Sequence, residues 1–196
     1  QIGKGLRAFR RLEMVHQDLK PENVLVDTHG TITLIDFGAT RVAGLEDSDI
    51  GEQAGPRGAA LYTAPETFLG EPGSWLSDQY SLGVITYQLL TGRLPYGPDV
   101  PKIHSRSQLR NLKYQPARQF RETLPAWVDD AIEKAVHPQA HRRFSALSEY
   151  LYNLRHPPAD WHRRRRPPLM ERNPVAFWQG VSGLLLLALL AALGLG

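Results

Sequence analysis

Asn23 and Asp36 stand at the outer ends of two short β-rich runs, Val24-Leu25-Val26 and Thr31-Ile32-Thr33-Leu34-Ile35, and this bracket constrains the fold more than any other feature of the chain. The intervening Asp27-Thr28-His29-Gly30 is a turn sequence, so the pattern predicts a hairpin. Closing a hairpin brings its outer ends together. Asn23 and Asp36 are therefore expected at one place.

Three motifs surround the hairpin: His16-Gln17-Asp18-Leu19-Lys20-Pro21-Glu22-Asn23, then Asp36-Phe37-Gly38, then Ala64-Pro65-Glu66. In this order and spacing they resemble the catalytic loop, metal loop and activation-segment anchor of a eukaryotic-type protein kinase. Asp-Phe-Gly alone is a common tripeptide, and it is the conjunction that carries the resemblance. Aminoglycoside phosphotransferases share a His-x-Asp loop, a downstream Asn and a metal-binding Asp, but lack the Ala-Pro-Glu segment, so Ala64 to Glu66 favours a protein kinase.

The resemblance implies a mainly α fold, the helical C-lobe of a protein kinase with a small β-hairpin at the catalytic loop. It assigns Asp18 as the catalytic base, Lys20 as the contact to the γ-phosphate of ATP, and Asn23 and Asp36 as ligands of Mg²⁺. These are the groups phosphoryl transfer needs: a carboxylate at the incoming hydroxyl, a cation on the transferring phosphate, and metal to neutralise developing charge. Ser77-Asp78-Gln79-Tyr80-Ser81-Leu82-Gly83 looks like the start of the buried central helix, with Asp78 holding the catalytic-loop backbone. Arg143, or its neighbour Arg142, looks like the ion-pair partner of Glu66. Both pairings are structural.

At 196 residues and 42% hydrophobic, the chain is long enough for one domain with a sizeable core. It has no cysteine, which excludes disulfides, thiolate metal sites and a Cys nucleophile and points to a cytoplasmic catalytic part. Ile2, Leu6 and Phe9 predict an amphipathic helix over residues 1 to about 14. Gly3-Lys4-Gly5 is no nucleotide loop, since no strand precedes it. Leu82 to Leu90, apolar nearly all round, predicts a buried helix stopped by Gly92 and Pro95. Val128, Ala131, Ile132, Ala135 and Val136 line a further helix between Pro125 and Pro138, and Leu147, Tyr150, Leu151 and Leu154 line the next. Residues 39 to 63 lack periodicity, as an activation loop would, and Thr40, Ser48 and Thr63 are its candidate phosphorylation sites.

The domain boundaries expected are 1–156 for the kinase-like part, 157–174 for a Pro/Arg-rich linker and 175–196 for a transmembrane helix. No residue from Asn173 to Gly196 is charged. The run from Phe177 to Gly196 would be ~30 Å long as a helix, the thickness of a bilayer's hydrocarbon core. A buried core helix or an aggregation-prone tail would read similarly, but no polar face is left and Arg163-Arg164-Arg165-Arg166 stands just outside. By the positive-inside rule that flank lies in the cytoplasm, with Phe177 and Trp178 as interfacial anchors, giving a single-pass protein of a bacterial plasma membrane. The arginines suit anionic headgroups, at ~1 kcal/mol each. Without interleaved aromatics they do not point to nucleic acid.

The resemblance extends over residues 1 to about 156 and concerns only the C-lobe. The N-lobe, whose Gly-rich loop and strand Lys hold ATP in a protein kinase, is not in this chain, which is expected to be the C-terminal part of a longer protein. Gly70-Glu71-Pro72-Gly73-Ser74-Trp75 and Glu171-Arg172-Asn173-Pro174 through Gly180 look like bacterial bifunctional proteins that join a metal-dependent Ser/Thr phosphatase domain to a Ser/Thr kinase and end in a membrane helix. The function implied is transfer of the ATP γ-phosphate to protein Ser/Thr hydroxyls in the intact protein, with the fragment alone inactive. Two departures favour an alternative, a membrane-tethered pseudokinase scaffold. Gln17 stands where an Arg would pair with an activation-loop phosphate, and Ala59 stands where a Thr commonly bridges the catalytic Asp and Lys.

Overall fold

The computed structural model describes residues 1–42, 59–159 and 173–194. The chain divides into two units, Gln1–Pro157 and Pro158–Gly196.

In the first unit, α1 (Ile2–Arg11) buries Gly3 and Leu6. A Cβ on Gly3 would lie 2.6 Å from Leu151 Cδ1, so the Leu151 side chain would have to shift for any other residue to fit between α1 and α5 (Leu147–Asn153). Arg10 and Arg11 complement the negative helix end, and Glu13 in the left-handed region (φ 56°) turns the chain away from helix. β1 (Met14–Val15) then pairs antiparallel with β4 (Arg41–Val42), while β2 (Val24–Val26) and β3 (Ile32–Leu34) form the predicted hairpin, registered Val24 to Leu34 and Val26 to Ile32. Its turn is held by Asp27, whose carboxylate accepts the N–H groups of His29 and Thr31, each at 2.8 Å.

The central helix, α2 (Trp75–Thr91), starts earlier than its apolar stretch suggests. A capping box sets the start: Ser74 Oγ accepts the Leu76 N–H at 3.2 Å and Ser77 Oγ accepts the Ser74 N–H at 3.0 Å. Gly92, at φ 70°, ends it, donating its N–H to the Gln88 carbonyl. The first half of α2 is polar yet buried, and Ser77, Asp78, Gln79 and Ser81 each have a partner. Ser77 donates to Glu66, Ser81 donates to the Tyr62 carbonyl, and Gln79 exchanges two bonds with the Phe144 backbone. Further along, α2 packs on α4 (Ala126–Ala135) at Gly83, where an added Cβ would meet Val136 Cγ1 at 2.6 Å. Tyr80, Tyr87, Ile132, Val136 and Tyr150 are fully buried around this contact. The short α3 (Arg106–Asn111) and several 3₁₀ turns complete the unit.

The second unit contains one described element, α6 (Pro174–Gly194). Its leucines at 184 to 187 and 189 are all more than half exposed. Among the described residues, however, no helix is long and apolar enough to cross a membrane. This corrects the transmembrane expectation for 175–196. Within α6, Gln179, Gly180, Ser182 and Gly183 interrupt the apolar surface of its first half. Arg163 to Arg166 lie outside the described residues.

Candidate active site

The catalytic-loop segment begins at His16, whose ring is fully buried. It stacks on Phe9 at 5.6 Å and meets Phe37 edge-on at 5.8 Å, while Phe9 and Phe37 contact each other at 5.4 Å. Burial lowers the His16 pKa, so the ring is neutral at pH 7. Sequence reasoning placed Phe9 only on the buried face of α1. Its contact with Phe37 joins α1 to the Asp-Phe-Gly turn, and nothing local in the sequence signals that pairing.

Asp78, near the start of α2, fixes the loop backbone. Its Oδ2 accepts the His16 N–H at 2.8 Å and its Oδ1 accepts the Gln17 N–H at 2.9 Å. Burial raises the Asp78 pKa to about 6, and the two N–H bonds pull against that rise. Gln17 itself has φ 65°, a conformation that side-chain-bearing residues rarely adopt. Its side chain packs so closely on Gly73 that a Cβ there would lie 3.0 Å from Gln17 Cδ. The position expected to lack a phosphate-pairing cation is thus occupied in packing the 70–74 turn. The side chain of Ala59 lies outside the described residues, as does Ser48.

Asp18, Lys20 and Asn23 are brought together within one turn. Lys20 Nζ donates to Asp18 Oδ2 at 2.5 Å, and Asn23 Nδ2 donates to the same oxygen at 3.1 Å and to the Asp18 carbonyl at 2.8 Å. Leu19, 2% exposed, pins the loop to the core between them. The Asp18 Oδ1 atom is left without a hydrogen bond among the described residues. Pro21 opens the 3₁₀ turn Pro21–Asn23 that carries Asn23 inward.

The hairpin supplies the fourth residue. The Ile35 N–H donates to the Asn23 carbonyl at 3.0 Å, one residue before Asp36. Asp36 follows in the left-handed region (φ 62°), its Oδ1 accepting the Gly38 N–H, and is exposed at the surface. Asn23 uses its Nδ2 on Asp18, which leaves its amide oxygen as the ligating end. That oxygen and the Asp36 carboxylate are a donor set suited to Mg²⁺, which keeps waters and substrate phosphate oxygens in its remaining positions. Among the described residues, no group of three or more His, Cys, Asp or Glu side chains could hold a metal ion by itself.

Glu66 and Arg143 close the other side of the domain with two bonds, Nη1 to Oε1 at 2.7 Å and Nη2 to Oε2 at 2.6 Å. Arg143 also donates to the carbonyls of Leu76, His137 and Pro138. Of the two arginines the sequence offered, the buried Arg143 is the partner and Arg142 is exposed.

The protein kinase domain family matches residues 1–153. The probable serine/threonine-protein kinase CPE1738 of Clostridium perfringens is 27% identical over 154 residues, 79% of this chain and 22% of that protein. The serine/threonine-protein kinase PknB of Mycolicibacterium smegmatis is 29% identical over 141 residues, 72% of this chain and 22% of its own. Among solved structures, the twitchin kinase region from C. elegans aligns with a TM-score of 0.60 at 27% identity, covering 81% of this chain and 28% of that one. The chain thus spans about a fifth of the length of these curated relatives. With the loop, the hairpin and the Glu66–Arg143 pair in the arrangement described and the family matched over most of its length, the chain belongs to the protein kinase domain family.

Proposed function

We propose that this chain is the C-lobe of a serine/threonine protein kinase that, in the intact protein, transfers the γ-phosphate of ATP to protein Ser or Thr hydroxyls. The observation that carries the reading is the state of Asp18. Two donors, from Lys20 and Asn23, hold Oδ2, and Oδ1 is left to accept a proton. The substrate hydroxyl oxygen forms the new bond to the γ-phosphorus, the bond from that phosphorus to the β–γ bridging oxygen breaks, and the hydroxyl proton passes to Asp18. Lys20, on the same carboxylate, would contact the transferring phosphate. Asn23 and Asp36 would hold a Mg²⁺ ion, which would supply neutralisation of the phosphate charge.

In the intact protein, Asp18→Asn should abolish phosphate transfer to itself or to a generic basic protein while leaving Mg-ATP binding in place. A wild-type protein with a complete N-lobe that binds Mg-ATP and never transfers phosphate would overturn the reading. The 196-residue chain alone is expected to show no appreciable turnover.

Membrane attachment at the inner face of a bacterial plasma membrane belongs to the same proposal. Its support is the uncharged stretch from Asn173 to Gly196, the arginine run before it and the exposed leucines of α6. Recovery of the full chain in the soluble fraction after lysis at physiological salt would refute it. An upstream phosphatase domain rests on the resemblance of Gly70 to Trp75 and Glu171 to Gly180. An immunoblot of the native protein at 22 kDa would exclude that domain.

A further inference from the structure

A cavity of about 290 Å³ opens between α1, the first turn of α2 and α5. Helices α1 and α5 meet at Gly3 and Leu151, and the cavity begins one turn further along both, at Leu6 and Leu147. With Met14 these two side chains form an apolar floor, and Trp75 closes one wall. The rim is basic. Arg7, Arg10 and Arg11 all line it and all are exposed. The Arg10 guanidinium is held 4.1 Å from the centre of the Trp75 ring, a cation–π contact that fixes it over the opening. Arg7 and Arg11 make no ion pair among the described residues, and α1 carries four cations and no acid.

Asp78 also lines the cavity, with each of its carboxylate oxygens already accepting a catalytic-loop N–H. A ligand's own carboxylates are repelled from that wall and attracted to the arginine rim. An apolar side chain fits the floor. A flat, uniformly anionic surface would satisfy the rim and leave the floor empty. A peptide would satisfy both.

We propose that this cavity is a docking site for an acidic peptide segment of a partner protein, with carboxylates on Arg7, Arg10 and Arg11 and one apolar side chain seated against Leu6 and Leu147. The site lies outside the group formed by Asp18, Lys20, Asn23 and Asp36, and it reaches the catalytic loop only through Asp78. It does not depend on the transfer reaction, and a binding measurement alone decides it.

The test uses the full chain in nonionic detergent and a fluorescein-labelled peptide, Glu-Glu-Asp-Leu-Asp-Glu-Glu, read by anisotropy. Saturable binding is expected that weakens about tenfold when Arg7 and Arg11 are both replaced by Ala, the loss of two exposed charge contacts. Binding should weaken when the peptide's leucine becomes serine. Ser148→Trp, at an exposed position on the cavity wall, keeps the arginines and fills the space, and it should also weaken binding. Circular dichroism establishes that each variant is folded. Binding unchanged in the Arg7→Ala, Arg11→Ala variant would overturn the proposal. So would a loss that instead follows replacement of Arg163 to Arg166. Adsorption to phosphatidylserine vesicles that needs Arg7 and Arg11, with no peptide binding, would assign the face to a membrane and overturn it as well.

Discussion

Glu66 and Arg143 lie 77 positions apart in sequence and meet in a two-bond ion pair in which Arg143 has no exposed side-chain surface. Burial by itself would push the Glu66 carboxyl up, and the hydrogen bonds and charge of Arg143 overcome this and hold it below its ordinary value. Removing one partner strands a buried charge. Arg143→Ala is expected to cost about 3–5 kcal/mol in chemical denaturation, and Arg143→Lys, which cannot make the paired bonds, a large part of that. Because the folded Glu66 value lies below the unfolded one, its contribution is present above about pH 4.5 and is lost as pH falls through the lowered value. Arg143→Ala should therefore flatten the acid limb of the stability curve.

Asp78 has the opposite sign. Its folded value, about 6, stands above its ordinary 3.8, so its contribution is complete below about pH 4 and is lost as pH rises through 6. The change is roughly 3 kcal/mol over that window. Denaturation midpoints measured from pH 4 to 7 should show this slope in the wild type and lose it in Asp78→Asn. The Asn variant also turns an amide N–H toward one of the two loop donors, so slower phosphate transfer by the intact protein is expected with it.

Asn23→Ala removes two bonds to Asp18 and, on the proposed function, one Mg²⁺ ligand with them. In the intact protein it should raise the Mg²⁺ concentration needed for half-maximal activity. Stability should fall by about 1–2 kcal/mol, the worth of a buried hydrogen-bonded amide. A magnesium titration of activity, set beside a denaturation curve, separates the two effects.

Gly83 meets α4 with no room for a methyl group. Gly83→Ala should destabilise by about 1–3 kcal/mol through overpacking on Val136. Adding Val136→Ala should recover part of that loss, because it removes the methyl groups that collide. Thermal denaturation of the single and double variants checks this.

The hairpin and the helical face of α4 were legible because their patterns are local: alternation around a turn, and apolar residues between two prolines. Pro125 opens α4 and Gly92 closes α2 as their chemistry requires. The N-terminal half of α2 was not legible from hydropathy, since Ser77, Asp78, Gln79 and Ser81 look like a surface and are buried through long-range partners. Nor could the sequence reveal that Glu13, Gln17 and Asp36 take left-handed conformations usually left to glycine; at Gln17 the bond from its N–H to Asp78 and its packing on Gly73 accompany it. The pairing of Met14 with Val42 joins strands of two residues, too short for any periodicity to register. For α6 the sequence's uncharged run identified a helix, while its Gln179, Ser182 and glycines shorten the stretch that is uniformly apolar.

The single backbone bond from Ile35 to Asn23 turns the hairpin into a ruler. The separation of the two oxygen donors is fixed by three strand pairs, Val24 with Leu34, Leu25 with Thr33 and Val26 with Ile32, and the number of residues at the tip does not enter. The tip from Asp27 to Gly30 is therefore insulated from the chemistry. It can be lengthened, shortened or tagged as long as the three pairs keep their register. A slip of one residue between the strands would turn every side chain of one of them to the other face and separate Asn23 from Asp36.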